Sequence, residues 1–202
     1  MISFKINDQE VEAREGWTVL ETAKEYGIRI PTLCYHEAVS TSGACRLCVV
    51  EVKEGNWSKV VISCMYPVRE GLNVFTDSER VKNVRRWILE MLLAQCPASG
   101  EIKKLAAEYG VTATRFGLKN KEEECLLCGL CVKVCREVVG VSAITTIGRG
   151  VHKTIGAPYG KPAEACVACG SCVTVCPTGA MRTRLDRVRG GDHHKPLAAP
   201  HV

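Results

Sequence analysis

Two stretches of this chain carry four cysteines each at one identical spacing, and this repeat limits the possible folds more than any other feature. Glu124-Cys125-Leu126-Leu127-Cys128-Gly129-Leu130-Cys131-Val132-Lys133-Val134-Cys135 aligns with Ala165-Cys166-Val167-Ala168-Cys169-Gly170-Ser171-Cys172-Val173-Thr174-Val175-Cys176, cysteine on cysteine and Gly129 on Gly170. Two copies of one cysteine-anchored unit, related by a local two-fold, are the expected architecture. The chain has 13 cysteines in 202 residues but only 5% aromatic residues, so something besides apolar packing must help hold the fold. A secreted disulfide scaffold does not fit. The cysteine number is odd, the cysteines crowd together, and the opening MISFKINDQEVEAREG has no apolar signal core.

Each copy reads C-x2-C-x2-C-x3-C, the run that binds 4Fe-4S clusters in bacterial-type ferredoxins, where the fourth cysteine ligates the other cluster. Three thiolates on a tight loop reach three corners of a cubane. The fourth, one helical turn on, faces away. The expected sets are therefore Cys125, Cys128, Cys131 and Cys176 for one 4Fe-4S centre, and Cys166, Cys169, Cys172 and Cys135 for its partner. Gly129 and Gly170 suit loops that need close backbone approach or a positive φ. Pro177 matches the Cys-Pro ending of the motif, and Arg136 replaces it in the first copy. Zinc, the alternative for C-x2-C knuckles, takes ligands in separated pairs, which so dense a run supplies badly.

A third group, Cys34, Cys45, Cys48 and Cys64, is spaced C-x10-C-x2-C-x15-C. The plant-type 2Fe-2S pattern is C-x4-C-x2-C with a distant fourth cysteine, so the first gap here is longer. Gly43 and Ala44 are small enough for the loop to close over a cluster. Around these cysteines the chain reads as a small sheet on one helix. Strands Ile2 to Ile6 and Val11 to Arg14 flank an Asn7-Asp8 turn. A helix follows, boxed by Thr18 and Glu21, apolar at Val19, Leu20, Ala23 and Tyr26, and stopped at Gly27. Strand-like runs recur at Leu47 to Val52, Lys59 to Ser63 and Val74 to Thr76. The order is that of an α+β fold compatible with a β-grasp 2Fe-2S ferredoxin-like domain. A zinc or redox-thiol group is the alternative for these four cysteines.

Ser78 caps a second helix running to about Gln95, with Val81, Val84, Ile88, Met91 and Leu92 as its apolar face and Arg80, Lys82, Arg85 and Arg86 on or beside the wet face. Pro97 to Gly100 break the chain, Glu101 to Tyr109 form a short helix, and Val111 to Glu124 read as a linker. The expected division is a 2Fe-2S ferredoxin-like domain over 1–77, a helical spacer over 78–122, a C-terminal bacterial-type two-4Fe-4S ferredoxin domain over 123–185, and a flexible tail over 186–202. His36, His193 and His194 are read as non-ligating.

PTLCYHEAVSTSGACRLCVVEV, the Ser63-Cys64 strand end and the cysteine pair after a helical spacer resemble the N-terminal region of the large iron-sulfur subunit of complex I. They are equally similar to the small diaphorase subunit of NAD-reducing hydrogenases and to the iron-sulfur portions of electron-bifurcating hydrogenases and NAD-linked formate dehydrogenases. The similarity spans roughly residues 1–185. It implies a non-catalytic electron-transfer subunit with one 2Fe-2S and two 4Fe-4S clusters. Its implied partners are a flavin- and NAD-binding diaphorase-type subunit and a catalytic metal subunit in a hetero-oligomer, with a ferredoxin as a further candidate. Those families usually place another 4Fe-4S site, held by one His and three Cys, between the modules. Here Cys96 is the sole cysteine between 65 and 124 and no histidine occurs there, so this chain cannot build that site. Cys96 is read as a buried thiol, and the missing centre requires the two modules to pack closer or the electron path to bend.

Other functions fit poorly. There is no G-x-G-x-x-G after a strand and no P-loop, so no nucleotide fingerprint and no substrate site is expected. A free ferredoxin shuttle and the iron-sulfur subunit of a succinate or fumarate enzyme are the nearest rivals, the first oversized here and the second marked by a shorter first gap and a 3Fe-4S site. The net charge of +5 counts cysteines as neutral. Residues 101–202 hold 15 basic against 9 acidic groups, an excess that anionic clusters of roughly −2 each would offset. A nucleic-acid binder using Arg182, Arg184, Arg187, Arg189 and Lys195 lacks interleaved aromatics. The missing signal core and metal-type cysteine spacing make a cytoplasmic protein the expectation, and no apolar run reaches the ~18 residues of a membrane span, with a peripheral seat on a membrane complex left open.

Overall fold

The computed structural model describes residues 1–118, 120–157 and 163–182. The expected tail over 186–202, with His193, His194, Arg187, Arg189 and Lys195, lies outside them, as does Arg184. Asn7 and Asp8 both take positive φ, 50° and 65°, the geometry of a tight hairpin turn. They join β1 (Ile2–Ile6) to β2 (Gln9–Ala13), paired antiparallel with Ile2 opposite Ala13. The capping box closes as read: Glu21 N–H donates to the Thr18 hydroxyl and Thr18 N–H to the Glu21 carboxylate, starting α1 (Val19–Glu25). Tyr26 is not on the buried face. It caps the helix and accepts the Glu12 N–H on its hydroxyl.

β3 (Val49–Glu54), β4 (Trp57–Ile62) and β5 (Asn73–Phe75) complete a five-stranded sheet ordered β2-β1-β5-β3-β4, in which only β1 and β5 run parallel. β3 is buried on both faces because helices cover each side. Val50 and Val52 join the α1 core with Phe4, Ile6, Leu20 and Val74. Val49 turns to the opposite face, where α2 (Glu79–Gln95) and α3 (Gly100–Glu108) pack with Leu47, Leu89 and Ile102.

The buried face of α2 departs from the sequence reading. Val81, Arg85, Ile88, Leu89 and Leu93 are buried while Met91 is exposed, a stripe at i, i+4, i+7, i+8 and i+12 that places Arg85 in its centre. Arg85 was expected near the wet face; at 2% exposure it is interior. The guanidinium is kept there by carbonyl acceptors described below.

The cysteine-rich half is built from short pieces: α4 (Leu130–Lys133) continuing as a π-helical turn (Val134–Val138), a hairpin of β6 (Thr145–Ile147) and β7 (Thr154–Gly156), and α5 (Ser171–Thr174). The hairpin carries no strong sequence signal and was not anticipated. Leu126 and Cys128 pack into the α2–α3 core, so that core joins the two halves. Truncating Leu89, fully buried at this junction, to alanine should cost about 2–5 kcal/mol. Urea unfolding followed by circular dichroism reads this as a lowered midpoint at unchanged slope.

Candidate metal centres

Four buried thiols meet at the edge of the sheet. Cys34 comes from the loop after α1, Cys45 and Cys48 from the loop before β3, and Cys64 from the 3-10 turn Ser63–Met65 after β4. The Ser63 N–H and hydroxyl both donate to the Cys48 carbonyl, at 3.0 and 2.7 Å, pinning the turn to the loop. Cys45 N–H donates to Cys34 Sγ at 3.3 Å. As free thiols they form two proton-sharing pairs. The Cys45 S–H holds Cys34 down to about 6 and its own pKa rises; the Cys64 S–H does the same for Cys48, also down to about 6. The charge on Cys34 is felt by Cys48 and Cys64, so the four sulfurs are one electrostatic unit. Gly43 is needed here: at φ 58° a Cβ would lie 2.8 Å from Ile62 Cδ1 and Met65 Sδ.

The repeat is conformational as well as sequential. Gly129 and Gly170 take φ of 79° and 78°, as their positions suggested, and Leu127 and Ala168, two residues earlier, take 60° and 57°. Left-handed backbone is costly for a leucine or alanine, of order 1–3 kcal/mol, and persists where the surroundings demand it. Its effect is to turn N–H groups toward sulfur. Leu130 N–H donates to Cys128 Sγ and Ser171 N–H to Cys169 Sγ, one copy repeating the other. Leu127 N–H reaches Cys125 Sγ at 3.4 Å and Ala143 N–H reaches Cys135 Sγ at 3.2 Å.

The fourth cysteine of each copy swaps sides. Cys131 feels the charges of Cys128, Cys125 and Cys176, and burial pushes Cys128 and Cys131 up to about 12. Cys172 is raised by burial, then by Cys169, Cys135 and Cys166. Cys135, carried on the π-helical turn, lines one small apolar cavity with Cys166, Cys169 and Cys172, among Val139, Val141 and Ala143. In the first set Cys125 and Cys131 are buried and Cys128 and Cys176 half-buried, whereas Cys166 and Cys169 are exposed.

The donor sets are all sulfur, backed by N–H groups, which suits iron-sulfur clusters and not a hard oxygen-seeking cation. Among the described residues no three His, Cys, Asp or Glu side chains are arranged for a single metal ion. His36 is exposed, with Nδ1 accepting the Ala38 N–H. Cys96, 0% exposed at the end of α2, donates to the Leu92 carbonyl at 3.1 Å, and burial raises it to about 12.

A clamp that the sequence reading missed joins the first and second groups. Ser40, in the loop between Cys34 and Cys45, donates its N–H and hydroxyl to the Glu137 carboxylate at 2.7 and 2.8 Å, while Lys133 donates to the Ser40 carbonyl. The Ser40 N–H, its hydroxyl and Arg136 hold Glu137 down to about 2. Across the same junction Cys128 feels the charge of Cys34.

Comparison with known proteins identifies two cluster-binding domains. Residues 1–79 match the 2Fe-2S iron-sulfur cluster binding domain and residues 124–180 the 4Fe-4S dicluster domain, giving the chain one 2Fe-2S cluster and two 4Fe-4S clusters. The chain is 33% identical to the NADPH-Fe(3+) oxidoreductase subunit alpha of Geobacter sulfurreducens, an alignment covering 94% of this chain and 25% of that protein. It is 34% identical to the NADH-ubiquinone oxidoreductase 75 kDa subunit of Reclinomonas americana, covering 74% and 25%. The chain thus spans about a quarter of the length of these curated relatives. A chain in the crystal structure of an NAD+-reducing [NiFe]-hydrogenase matches with a TM-score of 0.75 and 31% identity over 89% of this chain and 86% of that one.

Two outcomes test the geometry. Glu137→Ala should speed deuterium uptake across residues 36–42 without moving the global unfolding midpoint, and unchanged uptake contradicts the clamp. In native protein at about pH 8, Cys96 should remain an unreactive neutral thiol toward iodoacetamide until denaturation, and early alkylation contradicts its burial.

Proposed function

We propose that this chain, which belongs to the family of iron-sulfur subunits of NAD(P)H-linked oxidoreductases, relays electrons between a flavin- and NAD-binding diaphorase-type subunit and a catalytic metal subunit of a cytoplasmic hetero-oligomer. The relatives that carry subunit names make a multi-subunit assembly the natural setting. No helix among the described residues is long and apolar enough to cross a membrane. The ligand sets follow the thiol groups: Cys34, Cys45, Cys48 and Cys64 for the 2Fe-2S cluster, Cys125, Cys128, Cys131 and Cys176 for one 4Fe-4S cluster, and Cys166, Cys169, Cys172 and Cys135 for the other.

Bound there, the clusters supply one-electron carriers whose added charge spreads over several irons, with potentials set by hydrogen bonds to sulfur, local charge and solvent access. The chain's own residues provide those conditions. Loop amides aim at the sulfurs, Leu47, Val49, Leu126 and Leu130 exclude water, and Cys135 and Cys176 interlock the last two sites. The observation that carries the reading is the continuity of the three thiol groups: Cys34 is electrostatically adjacent to Cys128, and exposed Cys166 and Cys169 leave the far end open to a partner. Cys96, capping α2, lies in the same core as Leu126 and Cys128, through which the two modules pack against each other.

Exchange of Cys135 for serine tests the crossed ligation. The expected result is damage to the centre anchored by Cys166, Cys169 and Cys172, read as loss of one 4Fe-4S signal by electron paramagnetic resonance. Loss confined to the centre anchored by Cys125, Cys128 and Cys131 contradicts the assignment.

A further inference from the structure

Arg85 carries its charge into the interior of the protein. It is 2% exposed, and among the described residues no carboxylate lies within ion-pair distance of it. Its hydrogen bonds go to neutral groups: Nε donates to the Leu47 carbonyl at 3.3 Å, Nη2 to the Val49 carbonyl at 2.7 Å and Nη1 to the Tyr109 hydroxyl at 3.3 Å. The Tyr109 ring lies 5.9 Å from the guanidinium carbon. Burying a charge is costly unless a counter-charge shares the dry environment, and carbonyl dipoles compensate only in part. An apolar side chain would fill the same place on α2 at no such cost.

The two carbonyls that hold it belong to the residues on either side of Cys48. Leu47 and Val49 pack in one core with Cys34 and Cys45, so the guanidinium sits behind the first thiol group across a layer that excludes water. We infer that Arg85 is the buried counter-charge of the 2Fe-2S site, a positioning residue that favours the reduced cluster and raises its reduction potential. The inference rests on Cys34, Cys45, Cys48 and Cys64 being the ligands. Reduction adds one electron from the titrant, breaks no bond and takes the four-thiolate cluster from about −2 to about −3. The added negative charge is attracted to a cation that low local dielectric leaves poorly screened.

The test is a potentiometric titration with dithionite of the full-length, cluster-loaded chain, followed by electron paramagnetic resonance. Arg85→Met, which keeps the volume and removes the charge, should shift the 2Fe-2S reduction equilibrium about tenfold toward the oxidised form, a midpoint about 59 mV more negative, with both 4Fe-4S midpoints unmoved. Arg85→Lys should stay within about threefold of the parent. Tyr109→Glu, which leaves the guanidinium in place and brings a carboxylate to it, should move the midpoint in the same direction as Arg85→Met, and it decides the question alone if Arg85→Met does not fold. An unmoved 2Fe-2S midpoint in the charge-altering variants overturns the inference, as does an equal shift in Arg85→Lys. Absence of a 2Fe-2S signal from the parent protein would instead overturn the ligand assignment beneath it.

Discussion

Negative charge on sulfur, held where water is scarce, is the condition around which this fold is organised. Thiolate groups this close together repel one another, and this repulsion adds to the shared protons that raise Cys45 and Cys64 and to the burial that raises Cys131. Three devices offset it. Backbone N–H groups point at sulfur from left-handed loop positions, iron supplies positive charge where clusters bind, and a guanidinium is kept inside the core beside Cys48. Each explains a feature that would otherwise be a defect: positive φ at Leu127 and Ala168, cysteines in place of large apolar side chains, and an arginine at the centre of a buried helix face.

The spacer helices matter for the same reason. α2 and α3 make a second face for β3, so the loop carrying Cys45 and Cys48 is buried from both sides. The core they form also takes in Leu126 and Cys128, and the Ser40–Glu137–Lys133 clamp adds a polar tie nearby. The two cluster-binding halves therefore meet through both apolar and polar contacts. A relay needs this because electron transfer weakens steeply with separation, and this chain lacks the residues for an intermediate centre between its halves.

Much of this is legible in the amino-acid sequence. Cysteine spacing identified the three groups, because ligand geometry allows few spacings, and the Thr18–Glu21 box and Asn7-Asp8 turn were legible because their signals are local. Arg85 was not. Its position on α2 matches the apolar stripe, but charge argued for the surface, and the acceptors that overrule that preference lie at the start of β3 and in the turn leading into it, 36 and 38 residues away. The Ser40–Glu137 contact spans 97 residues, and neither end carries a pattern that names the other. Leu127 and Ala168 were missed for a different reason: leucine and alanine give no hint of a left-handed backbone, and only the repeat of that conformation in both copies marks it as required.

Whether these sulfurs anchor three iron-sulfur clusters is read by elemental analysis of anaerobically purified chain for iron, acid-labile sulfide and zinc. About ten irons per chain with matching sulfide and only traces of zinc are expected. Zinc in stoichiometric amounts, with little iron and no labile sulfide, would contradict cluster binding.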